Sequence, residues 1–107
     1  MEPVRAYLEE RYPEQITLDD LSKMFFINKF YLTRVFREQF GSTISAYLQS
    51  VRITRAKQLL RFSDMPVGEI AAACGFGAPH YFSRVFKAVE GVPPCVYRSR
   101  WRTRRGE

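Results

Sequence analysis

The chain has 107 residues, 46% of them hydrophobic and 15% aromatic. That length suits one compact domain or two very small ones, and the apolar content excludes a disordered polyelectrolyte. The formal charge is +6, but five Arg against one Glu from Arg98 to Glu107 leave only +2 on the remainder.

A basic end of this kind attracts any polyanion, whether DNA, RNA or anionic lipid. No apolar run approaches the roughly 18 residues of a membrane span. The N-terminal MEPVRAYLEE lacks a signal-peptide core, and Cys74 and Cys95 fall in no CxxC or HxxxH spacing. The expectation is therefore a soluble, intracellular chain with no membrane association, disulfide framework or metal site.

In chain order, Pro3 suits the first turn of a helix running to about Tyr12 and ended by Pro13. Thr17 followed by Asp20 predicts a capped short helix through about Phe25. Asn28 caps the next, over 29–40, and Gly41 stands where a helix-terminating glycine belongs. Ser42 or Thr43 opens the longest segment, 44–62, in which Ile44, Tyr47, Leu48, Val51, Ala56, Leu59 and Leu60 recur at helical spacing. A short helix at about 67–74, a turn through Gly75-Phe76-Gly77 and a helix over 79–90 follow. Gly91 ends that helix, and Pro93-Pro94 begin a last turn or two through about Arg98. No segment sustains period-two alternation, so the predicted fold is all-α, with about seven helices.

The chain repeats itself. Tyr31-Leu32-Thr33-Arg34-Val35-Phe36-Arg37 with Gly41 matches Tyr81-Phe82-Ser83-Arg84-Val85-Phe86-Lys87 with Gly91 at an offset of 50. Asp20-Leu21 matches Glu69-Ile70 at an offset of 49, which puts one extra residue in the second inter-helix turn. Two helix–turn–helix copies thus flank one long helix.

In both copies the second helix divides into two faces. Leu32, Val35, Phe36 and Phe40, and likewise Phe82, Val85, Phe86 and Val89, are expected inside. Phe30, Thr33, Arg34 and Arg37, and likewise His80, Ser83, Arg84 and Lys87, are expected outside. A 12-residue helix behind a short helix and a tight turn fits the DNA major groove. There Arg34 and Arg84 have the forked donors for guanine O6 and N7; a phosphate contact or an intramolecular ion pair is the alternative. Arg37 and Lys87, a turn further on, face phosphate or solvent. Phe30 either meets thymine methyls or tucks back on Phe25 or Phe26. The long helix spans about 28 Å at 1.5 Å per residue, enough to hold two reading helices about one DNA turn apart or to serve as a plain core helix.

His80 has no nucleophile or orienting carboxylate beside it in sequence, Cys74 reads as a small core residue, and Cys95 has no charged neighbour that marks a reactive thiol. Neither a phosphate-binding glycine loop nor a carboxylate pair is found. The chain reads as no enzyme and as needing no cofactor.

These stretches together resemble the DNA-binding domain of the AraC/XylS family of bacterial transcription regulators. The resemblance is carried by Leu18-Asp19-Asp20-Leu21, by Tyr31 to Arg37 with Gly41, and by Tyr47-Leu48 with Arg52, Ala56 and Leu59-Leu60. Most specific are Ile70-Ala71, Gly75-Phe76 and Tyr81-Phe82-Ser83-Arg84 with Phe86-Lys87, then Gly91-Val92, Pro94 and Tyr97-Arg98.

The resemblance implies a first helix-turn-helix subdomain over 1–43, a linker helix over 44–62, a second subdomain over 63–98 and a basic tail over 99–107. It places Asn28, Lys29, Phe30, Thr33, Arg34 and Arg37 of the first, and Gly77, Ala78, His80, Ser83, Arg84 and Lys87 of the second, in successive major grooves. Double-stranded promoter DNA is the implied partner, with RNA polymerase a further one, in the cytoplasm at the nucleoid. The implied role is the C-terminal part of a longer regulator, a complete small regulator being the alternative, with no small-molecule site within this chain.

The sequence departs from the family pattern at Ser22, where Ala is common, and at Cys95. It departs also at Gly77-Ala78-Pro79, whose few polar groups leave more of the discrimination to the first subdomain. Two other functions compete. A protein-docking module would use exposed Phe30 and Trp101; an RNA or membrane binder would use the Arg-rich tail, which otherwise tracks phosphates or stays disordered.

Overall fold

The computed structural model describes residues 1–104, with side chains through Arg102. Among these residues it is all-α, with seven helices and no strand. Two units form, Met1–Val51 and from Arg52 onward.

The first unit comprises α1 (Glu2–Glu10), α2 (Leu18–Phe25), α3 (Lys29–Phe40) and the start of α4 (Ile44–Phe62). Helix α1 stops short of the expected Tyr12, because a residue before proline avoids helical backbone and Pro13 follows. A capping box starts α2: Asp20 N–H donates to Thr17 Oγ1 at 3.1 Å, and Thr17 N–H donates to Asp20 Oδ2 at 3.2 Å. Asn28 Oδ1 starts α3 by accepting from the Phe30 N–H at 2.8 Å and the Tyr31 N–H at 3.4 Å. Val4, Leu8, Leu21, Leu32, Phe36 and Leu48 form the buried core, and Phe25, Phe40, Ile44 and Tyr47 pack around it.

The second unit comprises the rest of α4 with α5 (Val67–Ala73), α6 (Pro79–Glu90) and α7 (Pro94–Arg104). Ile53, Ala56, Leu60, Ile70, Ala71, Cys74, Phe76, Phe82 and Phe86 make its core. The Phe76, Phe82, Phe86 and Tyr97 rings form a chain with successive centroids 4.9, 5.7 and 5.3 Å apart.

The two inter-helix turns show how the repeat was built. The Ile27 N–H donates to the Ser22 carbonyl at 3.1 Å, and the Phe76 N–H donates to the Ala71 carbonyl at 2.9 Å, the same closure 49 residues on. The left-handed residue is Phe26 (φ 56°) in one turn and Gly75 (φ 90°) in the other. The next matched residues, Asn28 and Ala78, both helix caps, differ by 50. The extra residue is therefore Gly77, itself left-handed at φ 78°. Ser22 adds a bond of its own, its hydroxyl donating to the Ile27 carbonyl.

Phe26 is 94% exposed, so its ring contributes no burial to offset a backbone conformation that a Cβ disfavours. Phe26→Gly is expected to stabilise the chain by about 0.5–1 kcal/mol in urea denaturation. A loss of stability would mean the ring makes contacts that outweigh the strain.

Two expectations are corrected. Val89 is 52% exposed rather than inward. The last turn of α6 instead turns Glu90 inward, half-buried and paired with Lys57 Nζ at 3.4 Å.

The larger correction concerns the chain end. Helix α7 continues to Arg104, six residues past the expected stop, and two of its arginines, Arg98 and Arg102, are anchored in the unit's own backbone. Arg98 donates to the carbonyls of Leu60 (3.1 Å), Ser63 (3.2 Å) and Met65 (2.7 Å). Arg102 donates to the Ser63 carbonyl at 3.0 Å and to Asp64 Oδ1 at 2.7 Å. Trp101 is half-buried, edge-on to Phe62 at 6.3 Å, with the Arg61 guanidinium 4.7 Å from its ring centre.

These bonds satisfy carbonyls at and beyond the end of α4 that its own helix leaves open. Arg98→Met keeps much of the apolar stem and strands the Leu60 and Met65 carbonyls, while Ser63 keeps its bond from Arg102. The variant is expected to lose about 2 kcal/mol, read as a lower urea midpoint at unchanged slope. Residues 105–107 of the expected tail lie outside the described residues.

Candidate nucleic-acid interface

Packing Leu32 and Phe36 inward turns the opposite side of α3 to solvent. Phe30, Thr33, Arg34 and Arg37 are exposed there, with Asn28 and Lys29 at the helix start. Packing Phe82 and Phe86 inward does the same for α6. Gly77, Ala78, His80, Arg84 and Lys87 are exposed, while Ser83 is half-buried.

Each unit therefore presents its own cationic helix face. Phe30 is 83% exposed, so it does not tuck back on Phe25 or Phe26. With Lys29, Thr33, Arg34 and Leu18 it lines a shallow groove. Leu18 is a residue that reading the α3 face alone does not reach; in sequence it stands at the start of α2, within the Leu18-Asp19-Asp20-Leu21 stretch.

The local electrostatics set which cations are available. Lys29 Nζ pairs with Asp19 Oδ1 at 2.9 Å, tying the start of α3 to the first turn of α2. Lys29's hydrogen bond, then its charge, hold the Asp19 carboxyl below its ordinary range. Arg34 lies over the Tyr31 ring at 5.5 Å, with its Nε 4.0 Å from Glu38 Oε1. An exposed pair at that distance holds little, and the guanidinium fork stays open to solvent. Arg37, Arg84 and Lys87 take part in none of the ion pairs formed among the described residues.

The two helix starts differ. Asn28 Oδ1 is occupied as the cap of α3, which leaves its amide N–H groups for other partners. Ala78 gives α6 no side-chain cap, and Pro79 occupies its first turn.

Burial pushes the Cys74 thiol up to about 11, against the opposing pull of Arg52 and Arg55. Cys74 is thus a core residue, while Cys95 is exposed. Among the described residues no three His, Cys, Asp or Glu side chains group to hold a metal ion, and no helix is long and apolar enough to cross a membrane.

A short helix, a tight turn and a second helix with an exposed cationic face, occurring once in each unit, define a pair of helix-turn-helix motifs. Residues 21–100 match the family model described as a helix-turn-helix domain. The chain belongs to the AraC/XylS family, to its DNA-binding domain.

Its backbone matches the DNA-binding domain of AdpA, a global transcriptional factor solved in complex with a target DNA, at TM-score 0.93. The two are 31% identical, with 99% of this chain and 96% of that one covered. The HTH-type transcriptional activator RhaR of Cronobacter sakazakii is 50% identical over 70 residues, 65% of this chain and 25% of RhaR. The uncharacterized HTH-type transcriptional regulator YisR of Bacillus subtilis is 39% identical over 92 residues, 86% of this chain and 32% of YisR. The chain spans about a third or less of the length of these two relatives.

Proposed function

We propose that the chain binds double-stranded promoter DNA sequence-specifically and so regulates transcription. In this reading α3 and α6 enter adjacent major-groove segments, about one helical turn (~34 Å) apart. The observation that carries the reading is the same exposed basic face on the second helix of both units, with Arg34 and Arg84 at matching positions. Likeness to a domain solved on its target DNA supports it.

Phe30, Thr33, Arg34, His80 and Arg84 reach base edges, with half-buried Ser83 at the margin; Asn28, Lys29, Arg37, Gly77, Ala78 and Lys87 meet the backbone. Lys29 does so in competition with Asp19. The chain catalyses no reaction and takes no cofactor. It acts in the bacterial cytoplasm at the nucleoid as the DNA-binding part of a longer regulator, which its relatives' greater length supports. Effector binding belongs to that remainder, and RNA polymerase is the partner through which bound regulator affects initiation.

The competing readings lose support. Trp101, one of two aromatics a docking module would use, is half-buried against Phe62. Arg98 and Arg102, two cations of an RNA- or membrane-binding tail, are bonded within their own unit.

Selection from random duplex, followed by titration of the winners against scrambled duplex at two salt concentrations, tests the proposal. The expected winner binds about a thousandfold or more tighter than scrambled sequence, with affinity falling steeply as salt rises. Equal affinity for every duplex would defeat sequence-specific reading.

A further inference from the structure

The α3 face carries an apolar feature that backbone binding does not require. Phe30 is 83% exposed and Leu18 is 37% exposed. Both line the same groove, with Lys29, Thr33 and Arg34 as its other walls. An exposed phenyl ring adds nothing to folding stability, since burial is what makes apolar area favourable. A small apolar depression flanked by Lys29 and Arg34 complements an apolar group displayed on a polyanion. Among the four bases, only thymine displays one in the major groove, its C5-methyl.

We infer that the Phe30–Leu18 groove receives the C5-methyl of one thymine, making Phe30 a specificity-determining residue of the first unit. The inference rests on the DNA-binding reading above and adds what α3 selects. At the matching position of α6 stands exposed His80, a polar ring, so the methyl requirement belongs to the first unit's box alone.

The test is a uracil scan of the selected duplex using the full chain. Each thymine is replaced singly by deoxyuridine, which removes the methyl and keeps the base pair. The first unit's box is identified as the one whose discrimination Arg34→Ala abolishes. One thymine in that box is expected to lose about fourfold in affinity on replacement, the transfer value of one methyl-sized group.

Phe30→Ala is expected to bind the thymine and uracil duplexes equally. Its helical circular dichroism and salt slope stay unchanged, since the ring supports neither the core nor a phosphate contact. Phe30→Leu, which keeps an apolar wall, is expected to retain part of the difference.

A box without thymine, a scan with no sensitive position, or a Phe30→Ala chain that still senses the methyl would overturn the inference and leave sequence-specific binding standing. A wild-type chain that selects no sequence would overturn both.

Discussion

Phe86→Ala is expected to lower the stability of the chain by about 3–5 kcal/mol, the range for truncating a fully buried aromatic. Phe86 is 0% exposed. Its ring lies 5.7 Å from Phe82 and 5.3 Å, edge-on, from Tyr97, so truncation opens a void beneath α7 as well as within α6. Phe82 is held in turn by Phe76, so its ring cannot close over the gap without moving α6. Domains of this size have a margin of about 5–15 kcal/mol, so the variant gives up a large share of it. Urea denaturation followed by circular dichroism measures the loss. A change below about 1 kcal/mol would show that α7 does not pack on α6 through these rings.

Arg34→Ala and Arg84→Ala should each weaken binding to a selected duplex by about 1–3 kcal/mol, or roughly five- to 150-fold. Both side chains are exposed and Arg34's pair with Glu38 is long, so neither substitution should alter folding. The two residues belong to different units and share no partner among the described residues, so the losses should add in the double variant. The salt dependence tells base reading from backbone contact. Loss of a base contact raises the dissociation constant of the selected duplex and spares scrambled duplex. Loss of a phosphate contact weakens both and flattens the salt slope by about one. Equal loss on selected and scrambled DNA would return both arginines to the backbone.

The helices were legible because their ends are chemically marked. Thr17 with Asp20, Asn28, Gly41 and Gly91 cap or terminate helices where the sequence placed them. The change of repeat offset from 50 to 49 also pointed to the right turn, and the matched left-handed residues narrow the insertion to Gly77.

What stayed hidden depends on tertiary partners. The end of α7 reads as a solvated basic run, because charge density in a sequence does not reveal carbonyls waiting at the end of another helix. Arg98 and Arg102 find theirs at Leu60, Ser63 and Met65, which lie over thirty positions away. Val89 has the right helical angle for the core, yet that turn closes with the Lys57–Glu90 pair instead. Phe26 gave no hint of a left-handed backbone, since glycine is the residue that normally signals it.

At the candidate interface, the outward sets on α3 and α6 followed from periodicity alone, Ser83 being the one member drawn half inside. Leu18 came to light only through the groove it shares with Phe30.

Reading of its own stretch of major groove by each unit, with one arginine apiece, is tested most directly by guanine N7-methylation interference on the selected duplex. Two clusters of interfering guanines about one helical turn apart are expected. Arg34→Ala should abolish interference in one cluster and Arg84→Ala in the other, each leaving its neighbour intact. A single cluster, or two clusters indifferent to both substitutions, would contradict reading by both units.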